Sequence, residues 1–180
     1  MSITHRIRDC RVLLGCHILT LCCVGASTEE TPEAFGFGRS ATKAELAVVD
    51  SDVRYDGLGL PEGSGTYEQG MAVYKDQCES CHGTNLQGNP EVAGNPLVGP
   101  GKTIERVWPY APTLFDYIRR SMPLYAPRSL SDTEVYGLVA FILGKAGVIS
   151  KQRVLDARAL AEVRMPNQDG FVPDPRPDVE

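Results

Sequence analysis

The sequence predicts an all-α domain in the centre of the chain, residues 64–149. Three segments there repeat apolar residues with helical spacing, and two of them begin with a capping box. No segment alternates convincingly with the period of two that is typical of a half-buried strand. Stretches rich in proline, glycine and charge flank this domain, so we expect an extended N-terminal arm, residues 27–63, and an extended C-terminal tail, residues 150–180.

The first predicted helix of the domain starts at Thr66, where Gln69 completes a capping box three residues later. Gly70 offers no side chain where this helix and the last one would cross, and we expect Phe141 to pack nearby. We also expect Met71 to lie in the core. One largely apolar face, spaced i, i+3, i+4 and i+7, consists of Tyr67, Gly70, Met71 and Tyr74.

Two further helices are predicted in the domain. A short helix is also predicted in the arm, at residues 42–49. The second covers residues 113–120 and ends before Met122, because Pro123 disfavours helical backbone at the residue that precedes it. The third starts at Ser131, where Glu134 completes another capping box. It has Val135, Leu138, Val139 and Ile142 on its apolar face and Gly144 and Gly147 at its end.

Residues 1–26 have the layout of an export signal, which predicts a periplasmic protein. Three arginines precede an apolar run, residues 12–26, that is shorter than the ~20 residues of a membrane-spanning helix. Val24 and Ala26 provide the small residues of a cleavage site. The alternatives are an uncleaved anchor or a lipid on Cys22 or Cys23. A cleaved signal predicts a mature chain without a membrane span.

Removal of the signal leaves very few metal-binding or redox-active side chains. Of the 6 cysteines and 3 histidines in the chain, Cys78, Cys81 and His82 follow residue 26. The formal net charge falls from −5 to −7, because three arginines and one aspartate are lost with the signal. An acidic chain of this kind argues against nucleic acid and anionic membrane surfaces as partners.

Residues 78–82, Cys-Glu-Ser-Cys-His, form a C-x-x-C-H run, which is typical of covalent attachment of one haem c. Cys78 and Cys81 lie one helical turn apart and can present both sulfurs to the vinyl groups of a porphyrin, and His82 then binds the iron. A zinc site needs about four ligands, and a thioredoxin-like site needs a βαβ pattern that the sequence lacks. A disulfide between the two cysteines remains an alternative. The long glycine- and proline-rich connection from 83 to 112 favours a segment wrapped around a prosthetic group.

The second axial ligand of the iron is predicted to be Met122. No second histidine follows residue 26, and Met122 precedes a proline between the last two predicted helices. Met165, an open position and a lysine are the alternatives. Ligation by His82 and a methionine raises the reduction potential and fills both axial positions. The sequence therefore predicts a carrier of single electrons rather than an enzyme.

Other residues are candidates for supporting roles around the haem. The backbone carbonyl of Asn95 or Pro96 lies where it could accept a hydrogen bond from the His82 ring and fix its orientation, or it forms an ordinary turn. Trp108 and Tyr110 would pack on the haem and bond a propionate, or they are plain core aromatics.

Three arginines flank Met122 in the sequence. Arg119, Arg120 and Arg128 would form a docking patch around an exposed haem edge, or a solvated helix face.

These features resemble class I cytochromes c: the C-x-x-C-H run, the helix with Gly70 and Tyr74, the position of Met122 and the last helix. Longer strings resemble the cytochrome subunit of bacterial sulfite and sulfane dehydrogenases. They are GRSATKAEL (38–46), DVRYDGLGLPEGSG (52–65), VWPYAPTLFDYIRRSMP (107–123) and VRMPNQDGFVPD (163–174). They include both arms, and this implies a shared partner surface.

The resemblance implies a class I cytochrome c domain over residues 64–149, with haem c on Cys78 and Cys81 and iron ligation by His82 and Met122. In that family a molybdenum-containing partner oxidises the sulfur compound and the cytochrome accepts its electrons, for delivery to a soluble cytochrome c or an oxidase. Such partners hold their metal through a cysteine, and the mature chain has none to spare. Some family members carry two haems, whereas this sequence has a single C-x-x-C-H. A free periplasmic shuttle and a ligand-binding or peroxidatic haem protein are the alternatives.

Overall fold

The structure is a computed structural model that describes residues 37–49, 51–172 and 175–176. The predicted export signal, residues 27–36 of the arm and most of the last eight residues lie outside this range. Residues 41–180 form one unit, and of the unit formed by residues 1–40 the structure describes residues 37–40. Within the described ranges, no helix is long and apolar enough to span a bilayer.

Helices dominate the described chain, which confirms the all-α prediction. They are α1 Lys43–Val49, α2 Tyr67–Gln77, α3 Glu79–His82, α4 Ile104–Val107, α5 Ala111–Ser121, α6 Asp132–Lys145 and α7 Ala157–Ala161. Two short strands, β1 Ser64–Gly65 and β2 Leu155–Asp156, pair antiparallel and join the start of the central domain to the tail. This small ladder and α7 were not expected from the sequence.

The helix ends follow the local signals in the sequence. Both predicted capping boxes are present: Thr66 with Gln69 begins α2, and Ser131 with Glu134 begins α6. The first turn of α5 contains Pro112, so α5 begins two residues earlier than predicted.

The core is centred on the crossing of α2 and α6. A Cβ built on Gly70 would lie 1.8 Å from the carbonyl oxygen of Gly137, so the two backbones touch. The rings of Tyr74 and Phe141 pack next to this crossing, with centroids 5.1 Å apart. The expectation that Met71 packs in the core is wrong, because its side chain is 48% exposed. Because the helices are in close contact at Gly70, the buried residues of α2 are Gly70 and Tyr74, and Met71 lies beside the buried face.

Both arms pack on this core. In the N-terminal arm, Val53 is buried, and the carbonyl of Pro61 accepts a 2.8 Å hydrogen bond from the Tyr136 hydroxyl on α6. A Cβ on Gly57 would contact Ala161 of α7, so the arm also touches the tail. The tail contributes a set of fully or nearly fully buried side chains to the core: Leu155, Leu160, Val163 and Met165.

We predict that Gly70→Ala destabilises the protein by about 3 kcal/mol or more, since the new methyl group would collide with the α6 backbone rather than with a flexible side chain. Urea unfolding followed by circular dichroism measures this loss. Met71→Ala, one position along the same helix, is the matched control. It should cost about 0.5 kcal/mol, because its side chain is half exposed. Equal losses in the two variants would contradict the close crossing.

Candidate functional site

The segment that carries Cys78, Cys81 and His82 begins where α2 ends. Cys78 has φ −124° and ψ −31°, which interrupts the helix while its N–H still donates to the Tyr74 carbonyl. In the turn of α3 that follows, the N–H groups of Cys81 and His82 both donate to the Cys78 carbonyl, at 3.1 and 2.9 Å. Both cysteines are half-buried free thiols, so the structure does not contain the alternative disulfide.

Burial raises the pKa of the Cys78 thiol to about 11, and the neighbouring Cys81 acts in the same direction. At neutral pH this side chain is therefore a protonated thiol, whereas redox-active cysteines have lowered pKa values. The described residues contain no group of three or more His, Cys, Asp or Glu side chains that could hold a metal ion. Neither a thioredoxin-like site nor a zinc site fits this segment.

His82 is oriented by the backbone. Its Nδ1 lies 2.8 Å from the carbonyl oxygen of Asn95, which confirms Asn95 rather than Pro96 as the partner. Because a carbonyl only accepts, Nδ1 must donate, and the lone pair of the neutral ring lies on Nε2. Nε2 is thus the atom that is available to a metal. The segment that contains Asn95 lies close because Gly94 has no side chain: a Cβ there would be 1.7 Å from the Cys81 carbonyl oxygen.

The long connection after His82 is ordered by its own hydrogen bonds. Leu86 is fully buried, and its carbonyl accepts from the N–H of Leu97 at 2.8 Å. The Tyr74 hydroxyl donates to the Gly83 carbonyl at 2.6 Å, and the Asn89 side chain donates to the Ser80 carbonyl. Two of these bonds join the start of the connection to α2 and to the turn that carries the cysteines.

Trp108 and Tyr110 end this connection, and each packs against another aromatic ring. Trp108 meets Tyr117 of α5 edge to face, with centroids 5.6 Å apart. Tyr110 packs against Tyr55 of the N-terminal arm at 5.0 Å and pairs with Arg164 of the tail in an isolated bridge. Both residues are half-buried, so each retains surface that another group can cover.

Met122 caps α5, donating its N–H to Ile118 at 3.0 Å, and its half-buried side chain packs on the core. Three residues later, the Tyr125 hydroxyl donates to Gln77 Oε1 at 2.8 Å. Gln77 directly precedes Cys78, so this bond joins the loop that follows Met122 to the helix that leads into the cysteines. Met165, the alternative ligand, is 1% exposed and belongs to the hydrophobic core.

Of the three arginines that flank Met122, two form ion pairs within the chain. Arg119 pairs with Asp132 at 2.8 Å. Arg120 is bound to the Asp116 carboxylate on its own helix, and this contact raises the pKa of the Arg120 guanidinium. Arg128 is exposed. Asp116 was not among the residues expected from the sequence, although its i, i+4 spacing to Arg120 predicts this ion pair.

Comparisons with known proteins agree with this geometry. The profile of the family described as cytochrome c oxidase, cbb3-type, subunit III matches residues 65–142. A search of curated proteins finds no match. Among solved structures, the crystal structure of the sulfane dehydrogenase SoxCD from Paracoccus pantotrophus contains a chain that is 36% identical. The match has a TM-score of 0.73 and covers 82% of this chain and 76% of the other. The chain belongs to the class I cytochromes c.

Membership of the cytochromes c implies covalently bound haem c and electron transfer. The residues present fit that group. Two free thiols precede a histidine whose Nε2 lone pair is available, and half-buried apolar side chains packed on the core retain surface for a flat apolar molecule. These side chains include Leu97, Val98, Trp108 and Met122.

We predict that Gly94→Ala displaces the Asn95 carbonyl from His82, because the added methyl group would overlap the Cys81 backbone. The stability of the cytochrome should fall by about 2–3 kcal/mol. The His82 Nδ1–H signal in proton NMR should also exchange faster with solvent.

Val92→Ala is the control for Gly94→Ala, since Val92 is 54% exposed in the same loop. It should change neither quantity measurably. Slow exchange of the His82 proton in Gly94→Ala would show that the Asn95 contact does not depend on this close approach.

Proposed function

We propose that this chain is a periplasmic monohaem cytochrome c that accepts electrons one at a time from a molybdenum-containing subunit of the sulfite or sulfane dehydrogenase type. The observation that carries the proposal is the breadth of the match to SoxCD. That match covers 82% of the chain, whereas the oxidase-subunit profile covers residues 65–142. The similarity to the sulfane dehydrogenase thus extends into the arms, beyond what a haem domain alone requires.

In this proposal Cys78 and Cys81 would hold the single haem c through thioether bonds, and His82 and Met122 would bind its iron. The haem iron supplies a centre that takes up and releases one electron. The Asn95 carbonyl fixes the ring of His82 and makes Nε2 a stronger donor. Met122 supplies a thioether from a loop that is joined to α2 by the hydrogen bond between Tyr125 and Gln77. Trp108 and Tyr110 present half-buried aromatic surface to the haem.

Substrate oxidation belongs to the partner. Cys78 and Cys81 are both committed to the haem, so the processed chain has no further cysteine for a molybdenum centre. With His82 and Met122 both binding the iron, the cytochrome would act as a non-catalytic redox subunit. It passes its electrons to a soluble cytochrome c or an oxidase.

A free periplasmic shuttle is the second candidate, and one observation favours it. Both arms pack on the core of the same chain, through Val53 and Pro61 on one side and Leu160 and Met165 on the other. Arms with such intramolecular contacts do not require a partner. The two candidates differ in whether the cytochrome is isolated with a molybdenum protein.

We predict that Met122→Leu keeps the covalent haem but opens one axial position. The reduced protein should then bind carbon monoxide at neutral pH. The reduction potential should fall by about 0.1 V, a fraction of the ~0.8 V over which axial ligands set haem potentials. Met165→Leu is the control, because a buried methionine tolerates a substitution of similar volume. If Met165→Leu bound carbon monoxide and Met122→Leu did not, the assigned ligand would be wrong.

We also predict that the tagged cytochrome, purified from its native host, carries a second subunit that contains molybdenum. Sulfite or a sulfane compound added to this preparation should reduce the haem. Ascorbate provides the control that the haem is reducible. A cytochrome that is reduced by ascorbate, contains no molybdenum and does not respond to the sulfur compounds would favour the free shuttle.

A further inference from the structure

We infer that the N-terminal arm fixes the Met122 ligand through a charged network on the last two turns of α5. We call this network the arm clamp and define it as Ser51, Val53, Asp116, Arg119, Arg120, Arg128 and Asp132. In the arm clamp, Asp116 and Arg119 are positioning residues, because they act on the iron site through the backbone that leads to Met122. The inference rests on the proposed role of Met122.

Asp116 is the centre of one half of the arm clamp. Its side chain is nearly buried, yet its carboxylate is fully engaged: Oδ1 accepts from the N–H of Val53 at 3.0 Å and from Arg120 Nε at 2.9 Å, and Oδ2 accepts from a terminal nitrogen of Arg120. Val53 is itself 6% exposed and packs in the core. Removing the carboxylate would leave the buried Val53 N–H without its acceptor, which is costly, and the Arg120 side chain, which is 40% exposed, would lose its partner on the same helix.

Arg119 is the centre of the other half. Its Nε donates to Asp132 Oδ1 at 2.8 Å and a terminal nitrogen donates to Oδ2 at 3.4 Å. Its other terminal nitrogen donates to the carbonyl of Ser51 at 3.2 Å. Asp132 is the first residue of α6, so Arg119 joins the end of α5 to the start of α6 and to the arm.

Ser51 also contacts a residue that follows Met122 in the chain. Its hydroxyl accepts a hydrogen bond from Arg128 at 3.5 Å, while its carbonyl accepts from Arg119. A single residue of the arm thereby contacts the chain before and after Met122. Between these two points the loop is well exposed, with Leu124 at 79% and Tyr125 at 70%. The arm clamp thus restrains an exposed loop from both of its ends.

The consequence concerns how long the thioether stays on the iron. Arg119 and Arg120 lie in the last turn of α5, the same turn in which Met122 donates its N–H to Ile118. If the arm clamp is broken, this turn loses its contacts with residues 51–53 and frays more often. The Met122 side chain then leaves its position more often, although no atom of Met122 has been changed.

The test uses the haem-bearing, full-length processed protein with Asp116→Ala and Arg119→Ala. We expect the reduced variants to bind carbon monoxide at least about tenfold faster than the unaltered protein, and the Met122 amide to exchange its hydrogen faster by a similar factor. Arg119→Lys should recover part of both effects, because it keeps a donor for Asp132 and Ser51. The control is Arg158→Ala, which removes an exposed ion pair with Glu162 on α7 and should change neither rate.

Each outcome decides one question. Rapid carbon monoxide binding by the unaltered protein would refute Met122 as the ligand, and with it the proposed function. If the unaltered protein excludes carbon monoxide and the clamp variants exclude it equally well, even with a lowered melting temperature, the arm clamp is only structural and the inference is overturned. If Asp116→Ala yields no haem-bearing protein, Asp116→Asn and Arg119→Ala decide by the same two rates, since the carboxamide of the asparagine variant keeps an acceptor for the Val53 N–H.

Discussion

The contact between the backbones of α2 and α6 at Gly70 and Gly137 is the constraint on which the rest of the structure depends. This crossing positions the site, because α2 ends at Gln77 and Cys78 is the next residue. The β1 strand approaches the same point: a Cβ on Gly65 would lie 2.1 Å from the Gly137 nitrogen. Three segments thus meet where no side chain intervenes. A side chain at this point would move the cysteine-bearing turn relative to the core that carries Met122.

Features that depend on neighbouring residues could be predicted from the sequence. Thr66 and Ser131 begin helices because their side chains satisfy N–H groups three residues later, and that chemistry needs nothing distant. The C-x-x-C-H run is also local, and the orientation of the His82 ring by the Asn95 carbonyl agrees with its interpretation. The Gly70 crossing could be anticipated, since a glycine on an apolar helix face indicates close approach.

Features that depend on distant residues could not be predicted in the same way. Met71 is exposed because α6 approaches α2 so closely at Gly70. The spacing of apolar residues along a helix does not predict the distance between two helices. The contact of Asp116 with Val53 joins residues 63 positions apart. The sequence indicates only the other contact of Asp116, with Arg120 four residues later. The β1–β2 ladder is likewise a pairing of two dipeptides from opposite ends of the domain, too short to show any alternation.

These contacts give both arms a structural role within the chain. Their resemblance to sulfur-oxidising relatives indicated a shared partner surface, on the argument that a free carrier has little use for them. The described parts of both arms have an intramolecular use, because Val53 is held by Asp116 and the Asn167 side chain donates to the Val107 carbonyl beside Trp108. The arms of this chain therefore have a role in holding residues 107–122 that is compatible with a bound partner and with a free shuttle. The breadth of the match therefore motivates the molybdenum partner and the isolated complex tests it, since a fold that needs its arms would retain them with or without a partner.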